Sequence, residues 1–510
     1  MNTTTLKVSY LFLILLVTAC NKKDAALPFN VTVSNETVAV NPTGVSPLTA
    51  IISVVTSVQT KLTIRIAGKH GAASDIVKDF NEMSTTHTVP VLGLYPDYEN
   101  IVELIFKNAA GTEGGRKIYT IKTAPLPDKI YPVITIDKKT SQMADGMTLV
   151  SYFGYNNNPL PQTPFLFDAF GDIRWYLDFK LSAELSNLFY DNGMELLRNG
   201  NLYFANSNTN IIYEMDFFGT IINTWELQDY WMHHEVLEKP NGNFLVTVSK
   251  IISSTIEDYI IEVDRNTKQT IRVWDLNLSL QNNRFTLLNN PYDWIHVNAI
   301  TYDPSDNTII VSGRTQGLIK LDNDNKVVWI LGCHKGWGTS GNGTNLRNFL
   351  LQPLDAYNEP ITNPDILDGN INHTDFEWCW YQHAPLLMPN GNVMLFDNGW
   401  NNRNFSGSGQ YSRAVEYAIN STNKTVKQIW EYGKSNGVST LSPIVSDVDY
   451  LVASNHVIFS PGSVNNGTKY GKVIEVDYAS RNVVFEATLT PPSSYHGITF
   501  HRTERINLYH

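Results

Sequence analysis

The sequence predicts an all-β protein: a six-bladed β-propeller preceded by a small, Ig-like N-terminal β-sandwich. The first sign is composition. Only 17% of the 510 residues are charged, while Tyr (25), Phe (22) and Trp (11) are plentiful. Aromatic side chains suit a pleated surface, and Asn and Gly suit tight turns. The second sign is a series of short alternating segments in residues 28–123, such as VTVSNETVAV, KLTIRIAG, NIVELIFKN and RKIYTIKTA. Each is bounded by Gly, Pro or Asn, and such spacing over roughly 100 residues indicates a sandwich. The third sign is that, beyond a linker placed at 124–140, residues 141–510 repeat themselves.

Each repeat spans roughly 40 to 90 residues. One copy reads HEVLEKPNGNFLVTVS, then DYIIEVDRNTKQTIRVWDL; another reads HAPLLMPNGNVMLFDNG, then RAVEYAINSTNKTVKQIWEYG. A first strand ends in Pro-Asn-Gly-Asn or a near equivalent, which is hairpin chemistry. A second strand follows, then one ending in a Val-Asp-type turn, then one carrying Trp or Phe. Four strands per unit at this period mark a propeller blade. Six units are legible, and the C-terminal HGITFHRTERINLY reads as a strand returning to close the first. Closure removes unpaired strand edges.

The leader and the charge set the compartment and the partners. Lys7 and the apolar run Leu11–Val17 form an export signal over residues 1–20, too short to span a bilayer. Val17-Thr18-Ala19-Cys20 has the form of a lipobox, so Cys20 is the expected lipidation site and residues 21–27 a tether. The expected location is the cell envelope, in the periplasm or at the outer membrane, with the lipid anchoring the protein to a membrane. A net charge of −11 without a basic block argues against nucleic acid. Two cysteines remain, Cys333 and Cys379. In an oxidising compartment they either form a disulfide or stay two buried thiols.

The repeat register also brings histidines together. The innermost strand of a blade lines the channel, so equivalent positions converge at one mouth. His234 lies six residues before Pro240 and His383 six before Pro389. His296 lies eight before Pro304, and Asn298, two further on, shares its face. His496 and His501 flank the closing strand. A cluster of imidazoles is a metal site or an acid/base and nucleophile site. The accompanying residues are Arg314, Arg413 and Arg502, which favour a tetrahedral oxyanion over a metal. Each arginine can equally be an inter-blade salt bridge. Glu235 is expected to point away from His234. No metal and no cofactor are expected.

The segments DWIHVNAITYDPSDNTIIVSGRTQG, WYQHAPLLMPNGN, YSRAVEYAIN–VKQIWEYGK and HRTERINLY resemble the bacterial arylsulfate sulfotransferases that do not use the nucleotide donor PAPS. The resemblance runs from about residue 28 to the end. It implies ping-pong transfer of a sulfuryl group from a phenolic sulfate donor to a phenol acceptor. It makes His383 the nucleophile that becomes a sulfohistidine, His234 and His296 the acid/base and charge-stabilising pair, and Arg314 the sulfate-binding residue. Asn298 and Arg502 are the expected substrate-binding residues. A homodimer and a disulfide near the site are further implications. The lipobox, the 46-residue separation of the cysteines and a shorter stretch between His234 and His296 depart from the family pattern. Two other readings stay open: a non-catalytic envelope propeller that binds a glycan or protein, and a propeller hydrolase or lyase.

Overall fold

Alternating burial along the strands builds the architecture. The computed structural model describes residues 29–154, 162–190, 192–284, 290–399, 409–466, 468–492 and 497–509, besides Met1. Cys20, with its signal and tether, and His496 lie outside the described residues. No helix among the described residues is long and apolar enough to cross a membrane.

The N-terminal part is one hydrogen-bonded sheet of five strands, Val33–Val40, Thr49–Ile66, Ile76–Leu92, Glu99–Lys107 and Glu113–Lys122. The strand Thr49–Ile66 does two jobs. Its first half pairs with Val33–Val40, and its second half pairs with Glu99–Lys107. The register breaks between Val55 and Thr60, which is where bulges bend a strand. Ala50, Ile52, Leu62, Ile64, Val102, Leu104 and Phe106 form its fully buried face.

Among the described residues the rest of the chain forms six further sheets. Their first strands are Glu195–Leu196, Tyr230–Glu238, Val297–Asp303, His383–Leu387, Asp447–Leu451 and Thr499–Ile506. From Tyr230–Glu238 onward each first strand packs against the next in this order. The circle closes where Arg502 Nε reaches Glu195 Oε1 at 3.0 Å and Leu196 N donates to Glu504 at 3.3 Å.

Two strands are exchanged to close it. The C-terminal Thr499–Ile506 pairs with Met147–Gly154 and completes the sheet that continues through Phe165–Phe167 and Ile173–Tyr176. Val133–Lys139, within the segment expected as a linker, pairs with Val483–Thr490 as the outer strand of the preceding sheet. Pairing there satisfies N–H and C=O groups that an edge would expose. Its alternating VITIDKK pattern was the signal.

Neighbouring sheets are clasped by tryptophan. Trp175, Trp225, Trp274 and Trp430 each sit on the fourth strand of a sheet, and the indole N–H donates to a backbone carbonyl of the following sheet. The acceptors are Phe217 at 2.7 Å, Arg265 at 2.8 Å, Asp322 at 2.7 Å and Tyr478 at 2.7 Å. The ring supplies buried apolar area and its N–H pairs a carbonyl that burial would otherwise strand.

The N-terminal sheet rests on this assembly through Arg174, fully buried beneath Tyr95 at 3.7 Å. Its guanidinium donates to Gly93 O at 2.9 Å, Tyr95 Oη at 2.8 Å and Asp168 at 2.9 Å.

Replacing Trp274 by Phe should cost about 1–2 kcal/mol, the carbonyl of Asp322 losing its partner. Replacing it by Ala should cost about 3–5 kcal/mol through the added cavity. Chemical denaturation of both variants, with equal losses as the contrary result, checks the clasp.

Candidate functional site

Four of the first strands are bulged near one end. His233, His234 and Glu235 together face Thr247; Asn298 is an extra residue between the pairs Val297–Gly313 and Ala299–Ser312. Ala384 and Pro385 face Leu395, and His501 and Arg502 face Ser151. A bulge re-aims side chains that strict alternation would send to opposite faces. Five non-glycine residues around the bulges hold left-handed backbone: His234 (φ 56°), Glu257 (56°), His296 (54°), Tyr381 (57°) and Ala384 (48°). Each such residue costs on the order of 1 kcal/mol or more, and such strain concentrates at functional sites. Hydroxyls on the second strands hold the bulges. Thr247 Oγ1 accepts from Glu235 N at 3.0 Å, and Ser312 Oγ donates to Gln382 O at 3.1 Å.

The bulges bring three of the expected histidines together. The His234 and His296 rings are 4.9 Å apart, and His501 stands 6.4 Å from His234. His383 is buried beside them. Its Nδ1 lies 2.7 Å from Asn398 Oδ1 and 3.1 Å from the Tyr381 carbonyl. Asn398 turns its oxygen toward the ring because its Nδ2 donates to Ser442 O at 2.8 Å and Val445 O at 3.0 Å. Two acceptors on Nδ1 fix the proton there, so Nε2 carries the lone pair. Burial first, then the Arg314 charge, hold His383 well below the ordinary imidazole value; the Asn398 hydrogen bond opposes this, and His234 and His501 add to it. The imidazole is therefore neutral and nucleophilic.

Arg314 Nη1 lies 3.5 Å from His296 Nε2, and the guanidinium stands 5.1 Å over the Tyr381 ring. Burial lowers its affinity for a proton, but a guanidinium remains cationic. Among the described residues no carboxylate forms an ion pair with it, and its buried Nε has no hydrogen-bond partner. A half-buried guanidinium without an ion-pair partner among the described residues, beside a neutral imidazole, suits an anion.

Asn298 acts across sheets: its Nδ2 donates to Gln382 O at 2.8 Å, fixing the residue before His383. Its buried Oδ1 has no hydrogen-bond partner among the described residues.

Other candidates go elsewhere. Arg502 is held by Glu235, by Glu195 at 3.0 Å and by Asp447 at 3.6 Å. A cavity of about 200 Å³ beside it is lined by Asp449 and Glu504 as well. Burial pushes Asp447 up to about 7 and Glu235 well above the usual carboxylate range. Arg413 is fully buried in ion pairs with Asp397 at 2.9 Å and Glu431 at 2.6 Å, a link within one sheet. No disulfide joins Cys333 and Cys379. Both are buried in an apolar cluster, where Gly369 packs closely against Cys333 and the Trp380 ring.

Two carboxylates escaped the sequence reading. Glu257 Oε2 lies 2.8 Å from His296 Nδ1 and 3.3 Å from His234 Nε2, and Asp293 Oδ2 lies 2.7 Å from His296 Nδ1. Burial favours the neutral acid, but the closeness of the His234 and His296 imidazoles holds Glu257 far below the usual range. His233 is pushed down to about 4 by burial. His233, His234 and Glu257, or Glu257, Asp293 and His296, lie close enough to hold a metal ion. An ion there would displace the carboxylate–imidazole bonds and sit near Arg314. Only the DWIH proximity of Asp293 to His296 was a local signal; Glu257 lies 39 residues before His296.

Known proteins place the chain in a family. Residues 133–496 match the model of the arylsulfotransferase (ASST) family, and residues 37–124 match the arylsulfotransferase Ig-like domain. The arylsulfate sulfotransferases AssT of Lelliottia amnigena and of Escherichia coli O6:H1 are each 28% identical over 552 residues, covering 88% of this chain and 89% of the relative. Likeness to solved structures is low: an auxiliary nutrient binding protein from Bacteroides thetaiotaomicron gives a TM-score of 0.31 at 11% identity, covering 89% of this chain and 94% of that one. The family match spans well over half of the chain, and the chain belongs to the arylsulfotransferase family, as a PAPS-independent aryl sulfotransferase enzyme with the family's Ig-like domain in front.

Proposed function

We propose that this enzyme is a six-bladed β-propeller that moves a sulfuryl group from a phenolic sulfate ester to a phenol, by a ping-pong route through a sulfohistidine at His383. The observation that carries the reading is the pairing of a neutral His383, its Nε2 lone pair exposed by the Asn398 contact, with the unpaired guanidinium of Arg314. The six sheets, with their first strands packed in sequence and closed by exchanged termini, support the propeller count.

The steps balance. His383 Nε2 attacks sulfur, an N–S bond forms, and the S–O bond to the aryl group breaks. The departing phenolate has a conjugate acid near pKa 10, so it takes a proton from His234 or His296. A new phenol then attacks the sulfuryl sulfur and gives its proton to that histidine, and the N–S bond breaks. Arg314 faces the charge that spreads over the sulfuryl oxygens; one such donor is worth about 3 kcal/mol. Asn298 positions His383 through Gln382 and offers its amide to the same region. Arg502, committed to three carboxylates, organises the acidic interior instead of binding sulfate.

The protein is also proposed to be exported, anchored through a lipid on Cys20 in the cell envelope, and to work as a homodimer.

Incubation with an aryl sulfate alone should add one sulfuryl group to His383, read by mass spectrometry, and added phenol should remove it. His383→Ala should fold normally and lose transfer by a factor on the order of 10³ or more; unchanged transfer in that variant overturns the nucleophile. The depressed affinity of His383 for protons gives a pH test. The imidazole stays neutral as pH falls through 6.5, so the donor half-reaction, measured by stopped-flow release of a chromogenic phenol, should hold its rate there rather than drop tenfold per unit. Cys20→Ser should move the protein from the membrane to the soluble fraction, and sedimentation of the released protein should give twice the chain mass.

A further inference from the structure

We propose that Glu257 is a positioning residue for the transfer: its carboxylate holds His234 and His296 in the ring orientation needed for the proton transfers and stabilises the positive charge each gains on accepting a proton. This rests on the sulfotransferase reading above. One carboxylate oxygen, Oε2, reaches both rings, His296 Nδ1 at 2.8 Å and His234 Nε2 at 3.3 Å. The two histidines belong to different sheets, so Glu257 is a bridge between them.

The residue is itself pinned by its backbone. Its N–H donates to Ser249 Oγ at 2.8 Å, and its carbonyl accepts from Val297 N at 2.9 Å. The same residue thus fixes the backbone just after His296 and the imidazole of His296. Its left-handed φ of 56° is what lets the side chain turn toward the rings while the carbonyl stays on Val297.

The contact also sets the tautomer of His296. A carboxylate only accepts, so the ring nitrogen facing it carries the proton. Asp293 accepts the Nδ1 proton at 2.7 Å, with Glu257 Oε2 2.8 Å from the same nitrogen, which leaves Nε2, 3.5 Å from Arg314 Nη1, as the basic nitrogen toward the anion site. His383 is given the opposite environment. Its Nδ1 meets the neutral amide of Asn398 and a carbonyl, with no carboxylate. A nucleophile needs to stay neutral, whereas a proton carrier passes through a cation. Neutral and anionic partners for neighbouring imidazoles divide these roles.

The test is Glu257→Gln, which keeps the shape and removes the charge, with Glu257→Asp beside it. The groups facing Glu257 are His233 and His234 on one strand, Asp293 and His296 before the next, Arg314 beyond it, and His383 and His501 across the cluster. The departing phenolate takes its proton from a carrier that Glu257 holds, so release of phenol from the donor should slow on the order of 10²-fold in the Gln variant. The loss should fall on the rate of the donor half-reaction and not on the donor's KM, and it should shrink as the leaving phenol becomes more acidic and needs less protonation. The Asp variant should restore most of the rate, and it carries the test should the Gln variant melt early. No loss in the Gln variant, or a loss that is the same for acidic and ordinary phenols, overturns the positioning role alone. Wild-type protein that neither labels His383 nor transfers to phenol overturns both this role and the transferase reading.

Discussion

The pairing of Thr499–Ile506 with Met147–Gly154 is the constraint on which the rest depends. It joins residues more than 340 positions apart and brings the sixth first strand against Asp447–Leu451 and Glu195–Leu196. Without it the ring of first strands would stay open, because packing between neighbouring first strands and clasps such as the Trp274–Asp322 bond join each sheet only to the next. Closure turns six local hairpin stacks into one interior. It also delivers His501 to the histidine cluster and Arg502 to the acidic cavity from consecutive positions, which only a bulge can do.

That interior is divided electrostatically. At the strand ends sit imidazoles and an unpaired guanidinium; deeper along the same strands sit Glu195, Glu235, Asp447, Asp449 and Glu504 around Arg502. Arg502 is already engaged by carboxyl groups of Glu195, Glu235 and Asp447, so it is no competitor for an anion. Among the described residues Arg314 has no such partner, which keeps its charge available. The two arginines look alike in sequence, each following a histidine-bearing segment, and their neighbours give them different work. Burial acts on both compartments in the same sense, raising carboxylates and lowering imidazoles, and so keeps the number of buried charges small.

Much of the layout was legible in the chain. The Pro-Asn-Gly-Asn turns announced the hairpins after His234 and His383, and both turns fall between paired first and second strands. His234 and His296 do come together, their rings 4.9 Å apart. The linker reading missed Val133–Lys139, because a strand whose partner lies 350 residues away looks like a spacer. Asn398 was invisible for another reason: an asparagine gains meaning only when its amide is oriented by two carbonyls, here those of Ser442 and Val445. Glu235 was expected to point away from His234, and it does bond to Arg502 instead, but the bulge rather than simple alternation decides this.

By itself the sequence determined the all-β class, an Ig-like β-domain before the repeats, and the register that draws His234 and His296 to one place, since hydrophobic alternation and turn chemistry are local properties. Tertiary structure alone decided which polar groups are partners. It put Glu257 between two histidines from different sheets, left Arg314 without a carboxylate partner among the described residues, tied Arg413 to Asp397, and left Cys333 and Cys379 in one apolar cluster without a disulfide between them. The physical reason is that ion pairing and hydrogen bonding act over about 3 Å with strict direction. A repeat register places a residue only to within a strand, and a single bulge turns its side chain to another face.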